Sequence, residues 1–271
     1  MKQMRLILWV LLMSSVVAPG MRSQASAGLG QHPAAHVAPS SWVSPPPLQL
    51  TTVIGERLEY LVSWSDYLVA AQLELTVTKG AASPESLQLQ ATVQTVGLVR
   101  SLFIAIDDRF VSYVQPQSLL PLRFETYLRE GRRHHQAVMI FDWKAGRIRL
   151  DGGESLPMHS DTRDVVALFY YIRRLDLSSG KQYRLTGIYK REPFTLVVRP
   201  EQKRIIDTPL GAVEAIEVAL GTERVDGGRT RIDDEHRVRV WVTNDERRIP
   251  VLITARPAFG QIRAQLRRRQ V

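Results

Sequence analysis

The chain has 271 residues, 44% apolar and 7% aromatic, a balance ordinary for a globular protein and one that excludes disorder throughout. It has no cysteine, which removes disulfides, thiolate nucleophiles, cysteine-ligated zinc and a lipidated N-terminal cysteine together. The formal charge of +9 favours acidic partners, unless it serves solubility alone.

Lys2 and Arg5 precede an apolar run from Leu6 to Ala18, and small residues then close on Ala25-Ser26-Ala27. This is the order of a signal peptide over residues 1–27, with cleavage expected before Gly28. The run is shorter than the roughly 20 apolar residues an uncleaved anchor needs to span a bilayer. An exported domain of this size can rest on its own core without disulfides, which fits the periplasm. Acidic partners there are phospholipid head groups, lipopolysaccharide or wall polymers, and not nucleic acid. Residues 28–51 are rich in Pro, Ala and Ser, with Ser44-Pro45-Pro46-Pro47 near their end, and are expected to be a flexible spacer.

From there the apolar residues recur with period two, which puts alternate side chains on opposite faces of a strand. Leu58, Tyr60, Val62 and Trp64 form one such set. Val69, Ala71, Leu73, Leu75 and Val77 follow after a Ser65-Asp66 turn, and Leu87, Leu89, Ala91 and Val93 after another. Further strands are expected at Arg109 to Val114, Leu122 to Leu128, Gln136 to Phe141, Tyr183 to Tyr189, Phe194 to Val198, Val213 to Leu220, Val238 to Val242, Ile249 to Ala255 and Gly260 to Leu266. About a dozen antiparallel strands curl into a closed or partly open barrel more readily than they lie flat.

One stretch breaks the period. Between Asp161 and Leu175, Val165, Leu168, Phe169 and Ile172 fall at i, i+3, i+4 and i+7, the stripe of an amphipathic helix. Asp161 is the expected N-cap, with Asp164 in the first turn and Arg173 and Arg174 in the last. The expected fold is therefore mainly β: one antiparallel, strongly curved, barrel-like or half-barrel domain over residues 52–266. The helix packs on its concave side, and residues 267–271 form a basic tail. A shorter helix or turn is expected around Val99 to Ile104.

The landmarks in this order are Gly55-Glu56-Arg57-Leu58-Glu59-Tyr60, Val62-Ser63-Trp64, Phe141-Asp142, Asp164 through Arg173, Thr208-Pro209-Leu210-Gly211, and Val240-Trp241-Val242 before Asp245-Glu246-Arg247-Arg248-Ile249-Pro250. From Thr52 to Leu266 the chain resembles an exported bacterial family known only as domain of unknown function 3108. The resemblance implies a β-rich envelope protein and brings no activity, so no catalytic residue is carried over. Where members carry glycine soon after the first strand, this chain has Asp66-Tyr67 and Ala70-Ala71. At the level of fold alone, the pattern is similar to periplasmic lipoprotein carriers and β-spiral envelope-integrity proteins, which wrap a sheet around a helix or a lipid.

No catalytic, cofactor or metal site is expected. His134 and His135 are neighbours on a strand and face opposite ways, so they cannot share an ion without a bulge. Ser178-Ser179-Gly180-Lys181 matches the S-x-x-K spacing of penicillin-binding enzymes, but it follows a helix instead of opening one and has no companion motif. Asp107-Asp108 and Asp233-Asp234-Glu235 supply paired carboxylates that more often mark solvated turns.

The leading expectation is a non-enzymatic periplasmic protein that binds a lipid or lipoprotein group in a half-barrel groove lined by Trp64, Phe169, Ile172 and Trp241. Arg173 and Arg174 would meet anionic head groups. A scaffolding module with a fully packed barrel, binding another envelope protein, is the rival reading. A wall or lipid hydrolase using the paired carboxylates is the third.

Overall fold

The computed structural model describes residues 54–65, 67–80, 85–226, 229–257 and 260–270, by backbone alone at 224–226, 229–231 and 233–237. The expected signal peptide, and the spacer up to its last residue at 51, lie outside the described residues. The first strands are β1 (Arg57–Trp64), β2 (Leu68–Lys79), β3 (Leu87–Thr95), β4 (Asp107–Val114), β5 (Pro121–Glu130) and β6 (Arg133–Asp142). Three short strands follow, β7 (Arg147–Leu150), β8 (Ser155–Pro157) and β9 (Arg163–Asp164), and then one helix, α1 (Val165–Ile172). The chain ends in β10 (Tyr183–Tyr189), β11 (Glu192–Thr208), β12 (Gly211–Asp226), β13 (Arg229–Thr243), β14 (Pro250–Ala255) and β15 (Ile262–Gln270).

All fifteen strands form one sheet, in the order β8-β7-β6-β5-β4-β3-β2-β1-β15-β14-β13-β12-β11-β10-β9. Each strand lies beside its neighbours in sequence, and β1 pairs with β15, so the order is that of an up-and-down barrel opened at one seam, between β8 and β9. Every pairing is antiparallel except β9 with β10, which is parallel. Near the seam, α1 packs against β3 and β4 from one half of the sheet and against β9 and β10 from the other. The sheet therefore curls around the helix, as its expected half-barrel form requires. An ion pair between Arg191, in the β10–β11 turn, and Glu154, in the β7–β8 turn, links the two halves again at 2.9 Å.

The strands form because alternate residues find an apolar side. Leu58, Tyr60 and Val62 of β1, Leu73, Leu75 and Val77 of β2, and Leu89, Ala91 and Val93 of β3 are all buried in one core with Leu168 and Tyr170 of α1. In the β10–β11 pairing, Phe194 lies across Gly187, and a Cβ at Gly187 would collide with its ring. The bend after β1 forms without glycine: Ser65 takes a positive φ of 52°, and its N–H donates to the Gln261 carbonyl at 2.7 Å.

The helix departs from the expected amphipathic form. It spans eight residues, and every one except Phe169 is buried, because the sheet covers it from two sides. A helix apolar all round is the form that suits such a site. The expected basic tail is also corrected: Arg267, Arg268 and Arg269 continue β15, with Arg268 opposite Glu59 and Arg269 opposite Leu58 of β1. Backbone pairing with β1 holds these residues whatever their charge. At Val99–Phe103, where a short helix or turn was expected, the chain makes a five-residue π-helical turn.

Candidate functional site

The polar groups that fix α1 define the frame of the concave face. Asp164, not Asp161, is the N-cap: Oδ1 accepts from the N–H groups of Val166 and Ala167 at 2.9 and 3.0 Å. Its Oδ2 accepts from the Ser112 hydroxyl of β4 at 2.5 Å. Burial pushes the Asp164 carboxyl up to about 6, against the pull of these hydrogen bonds. Arg163 lies over the Tyr171 ring at 3.6 Å and donates to the Ser118 carbonyl. Arg174 donates to the carbonyls of Gln117 and Pro116, so two arginines flanking the helix clamp the β4–β5 loop.

At the other end of α1, Arg173 makes a bidentate ion pair with Glu56 at 2.7 and 2.9 Å, and both side chains are buried. The same guanidinium donates to the carbonyls of Arg248 and Arg247 and sits 5.3 Å from the Tyr170 ring centre. Tyr60 donates to the Pro250 carbonyl at 2.8 Å. Arg248 in turn donates to the Leu175 carbonyl, and Asp245 accepts from the N–H groups of Arg247 and Arg248. The Gly55-to-Tyr60 landmark, the end of the helix and the Asp245-to-Pro250 landmark are thus three parts of one buried anchor. Arg173 and Arg174 are consumed by it and by the loop clamp, which corrects the expectation that they meet head groups.

Away from this packed end, the concave face keeps partly open apolar side chains. Trp64 ends β1 in phase with Leu58, Tyr60 and Val62, and Phe169 is the half-buried residue of α1. Leu128 of β5 and Leu220 of β12, also part-buried against the core, extend the set. Sequence reasoning missed both, although Leu128 follows Phe124 and Thr126 at period two and Leu220 follows Ile216 and Val218 in the same way. Of the other expected residues, Ile172 is fully packed in the core. Trp241 lies out of phase with the buried Val238, Val240 and Val242, opposite Glu217 and Leu252 in register, so it is on the convex side. Its neighbour on that side is an ion network in which Arg239 bridges Glu217 and Glu201.

The candidate chemistry of the sequence separates as its alternation requires. Asp107 turns outward to a two-point hydrogen-bonded pair with Arg100, whereas Asp108 turns inward and is buried. Two carboxylates on opposite faces cannot serve one bond. The side chains of Asp233, Asp234 and Glu235 lie outside the described residues. His134 and His135 are exposed and pair in register with Arg129 and Leu128. Ser178 and Lys181 both bind Asp176, which places the S-x-x-K match in a turn. Among the described residues, no group of three His, Asp or Glu side chains is arranged to hold a metal ion.

Asp108 accepts from the Arg129 N–H at 2.9 Å, and burial pushes its carboxyl up to about 6. In the unfolded chain the carboxyl loses its proton near pH 4, about two units earlier than in the fold. Between about pH 4 and 6 the unfolded state therefore binds fewer protons, and stability falls as pH rises, by about 1–2 kcal/mol once the roughly 2.7 kcal/mol of a two-unit shift is reduced for solvent screening. Asp108→Asn keeps the acceptor and removes the charge. It is expected to match wild type near pH 4 and to exceed it by about 1–2 kcal/mol at pH 8, as urea titrations at both pH values will read. An unchanged gap between the two proteins from pH 4 to 8 would count against a buried, ionising Asp108.

The fold and its site define a class: an open antiparallel half-barrel that curls around one buried helix and leaves a partly apolar concave face. Within that class the chain belongs to the family described as protein of unknown function (DUF3108), whose model matches residues 59–267. No curated protein matches the chain. Among solved structures it is similar to a β-barrel-like protein of the DUF1849 family from Brucella abortus, with a TM-score of 0.54 at 10% identity over 80% of this chain and 98% of that one. This likeness is one of fold. Weaker matches include a protein described as exported, with a YmcC-like fold, from Bacteroides fragilis (TM-score 0.34, 10% identity, 80% of this chain and 96% of that one). Another is a protein described as a lipoprotein from Parabacteroides distasonis (TM-score 0.36, 9% identity, 80% and 95%).

Proposed function

We propose that this chain is an exported, non-enzymatic envelope protein that holds an apolar ligand, a lipid or the acyl chains of a lipoprotein, on the concave face of its half-barrel. The observation that carries this reading is the half-buried pair Trp64 and Phe169, aromatic side chains left partly open on the inner side of a sheet with one unpaired seam. Large apolar side chains in a concave setting are the usual lining of a small-molecule site, and closing them off from water favours an apolar occupant. The signal-peptide pattern of residues 1–27 supports export.

The rival reading, a fully packed module that binds another envelope protein, draws on the burial of α1 on every side but one. Native mass spectrometry of the mature protein from its own periplasm, with lipid extraction, separates the two. A stoichiometric lipid or lipopeptide is expected, and the double variant Trp64→Ala/Phe169→Ala is expected to lose at least tenfold of it. A clean apo mass from a well-folded protein would move the weight to the packed module.

A further inference from the structure

Sheet-end geometry puts several strand connections on one rim: those from β1 to β2, from β3 to β4 (96–106), from β5 to β6 (131–132) and from β14 to β15. Hydrogen bonds join these turns to one another and to β2. The Gly131 N–H donates to the Ala105 carbonyl, Val96 to Ala70, and Ser65 to Gln261, at 2.7, 3.0 and 2.7 Å.

This rim carries four of the large apolar side chains exposed among the described residues, while Ile205 and Leu210 are exposed at the opposite end of the sheet. Leu98, Leu102 and Phe103 are 61, 71 and 64% exposed, and Tyr67 is 95% exposed. Their exposure is enforced by the fold. Within the same turn Val99 is buried as an anchor, and Arg100 is pinned to Asp107 through both of its terminal nitrogens, so the three neighbours are held outward. Exposed apolar groups gathered on one rim and held on a fixed support mark an interaction surface. Beside it, the β5–β6 tip joined through Gly131 presents Arg129, Arg132 and Arg133, all exposed, and Arg256 is exposed on the turn beyond Ser65.

We propose that this rim docks on an anionic lipid bilayer, with Leu98, Leu102, Phe103 and Tyr67 entering the head-group region and the flanking arginines meeting lipid phosphates. Apolar side chains with arginines beside them are what binds at a charged membrane interface, where buried apolar area and electrostatic attraction add. A protein partner of ordinary surface would not require the cationic flank. The proposal stands independently of a ligand on the concave face. If both hold, docking brings the Trp64 end of β1, which opens on this rim, toward the membrane.

The test is flotation of the purified mature protein with vesicles of phosphatidylcholine alone and of phosphatidylcholine with 30% phosphatidylglycerol. Wild type is expected to bind the anionic vesicles and to leave the neutral ones at least tenfold more weakly bound. Leu102→Asp/Phe103→Asp is expected to lose at least tenfold in binding with an unchanged thermal melt. Arg132→Ser/Arg133→Ser, which leaves the apolar groups intact, is expected to lose about fivefold per arginine at low salt and less at high salt. Trp64→Ala/Phe169→Ala is expected to float like wild type even if it loses a co-purified lipid, so failure of the groove and failure of the rim are distinguishable. Wild type that ignores anionic vesicles would overturn the proposal, as would aspartate and serine variants that bind like wild type. Self-association abolished by Leu102→Asp/Phe103→Asp without vesicle binding would also overturn it, and would name a second copy as the occupant.

Discussion

Arg173→Ala is expected to destabilise the domain by about 3–5 kcal/mol, the cost of leaving a buried partner charge uncompensated. The guanidinium satisfies both oxygens of Glu56 and the carbonyls of Arg247 and Arg248, all at the end of α1. Alanine would strand a carboxylate and two carbonyls in a site too well packed to admit solvent without local opening. Burial works against the arginine's charge, and its hydrogen bonds to Glu56 more than restore it, raising its pKa. For a domain of this size the loss corresponds to a fall in Tm of about 10 °C, read by thermal melting alongside a urea titration. Glu56→Gln should be costly for the same reason, since the arginine then has no counter-charge. Glu56→Leu/Arg173→Met removes both charges and is expected to recover more than half of the single-variant loss. A loss below about 1 kcal/mol in Arg173→Ala would mean that the pair is solvated and that the anchor is held by apolar packing alone.

Where an element met the core along its whole length, its period was legible in the residues. The β1 to β3 meander follows directly from Leu58, Tyr60 and Val62 and their successors, because one face of each strand is buried and the other is not. Strands β7, β8 and β9 are four, three and two residues long, too short for a period to stand out, although Ile148 and Leu150 of β7 do alternate with Arg147 and Arg149. The hairpin of β11 and β12 runs well past the expected strands because Lys203 to Thr208 keep pairing through the backbone, with no fully buried face to impose alternation. The helix was visible in the stripe of Val165, Leu168, Phe169 and Ile172. The burial of its remaining residues was not, because that depends on which strands the seam brings to its other side. Arg173 and Arg174 looked like an ordinary cationic last turn, and only long-range folding shows that Glu56, 117 residues away in sequence, claims one of them. For the candidate site, Trp64 was legible from its phase with β1, whereas Trp241 could have been excluded by the same rule, since Val240 and Val242 on either side of it already claim the inner face.

Asp164→Ala is expected to cost about 2–4 kcal/mol, combining the loss of an N-cap with the exposure of buried donors to no acceptor. The carboxylate is fully buried and serves three donors, the N–H groups of Val166 and Ala167 and the Ser112 hydroxyl. At an exposed helix end water would take over these bonds, but here the sheet surrounds the site. An eight-residue helix has little stability of its own, so its start depends on this cap and on the packing of its faces. Asp164→Asn retains an acceptor for the two backbone donors and an amide that can donate to the Ser112 oxygen, so its deficit is expected to stay within about 1 kcal/mol near neutral pH. The deficit should also narrow as pH rises. Burial raises the wild-type carboxyl to about 6, so wild type loses stability between about pH 4 and 6, and the uncharged asparagine does not. Urea titrations at pH 5 and pH 8 measure both effects. If Asp164→Ala and Asp164→Asn prove equally damaging at both pH values, the carboxylate's role is its charge and not its two backbone hydrogen bonds, and the capping account of α1 fails.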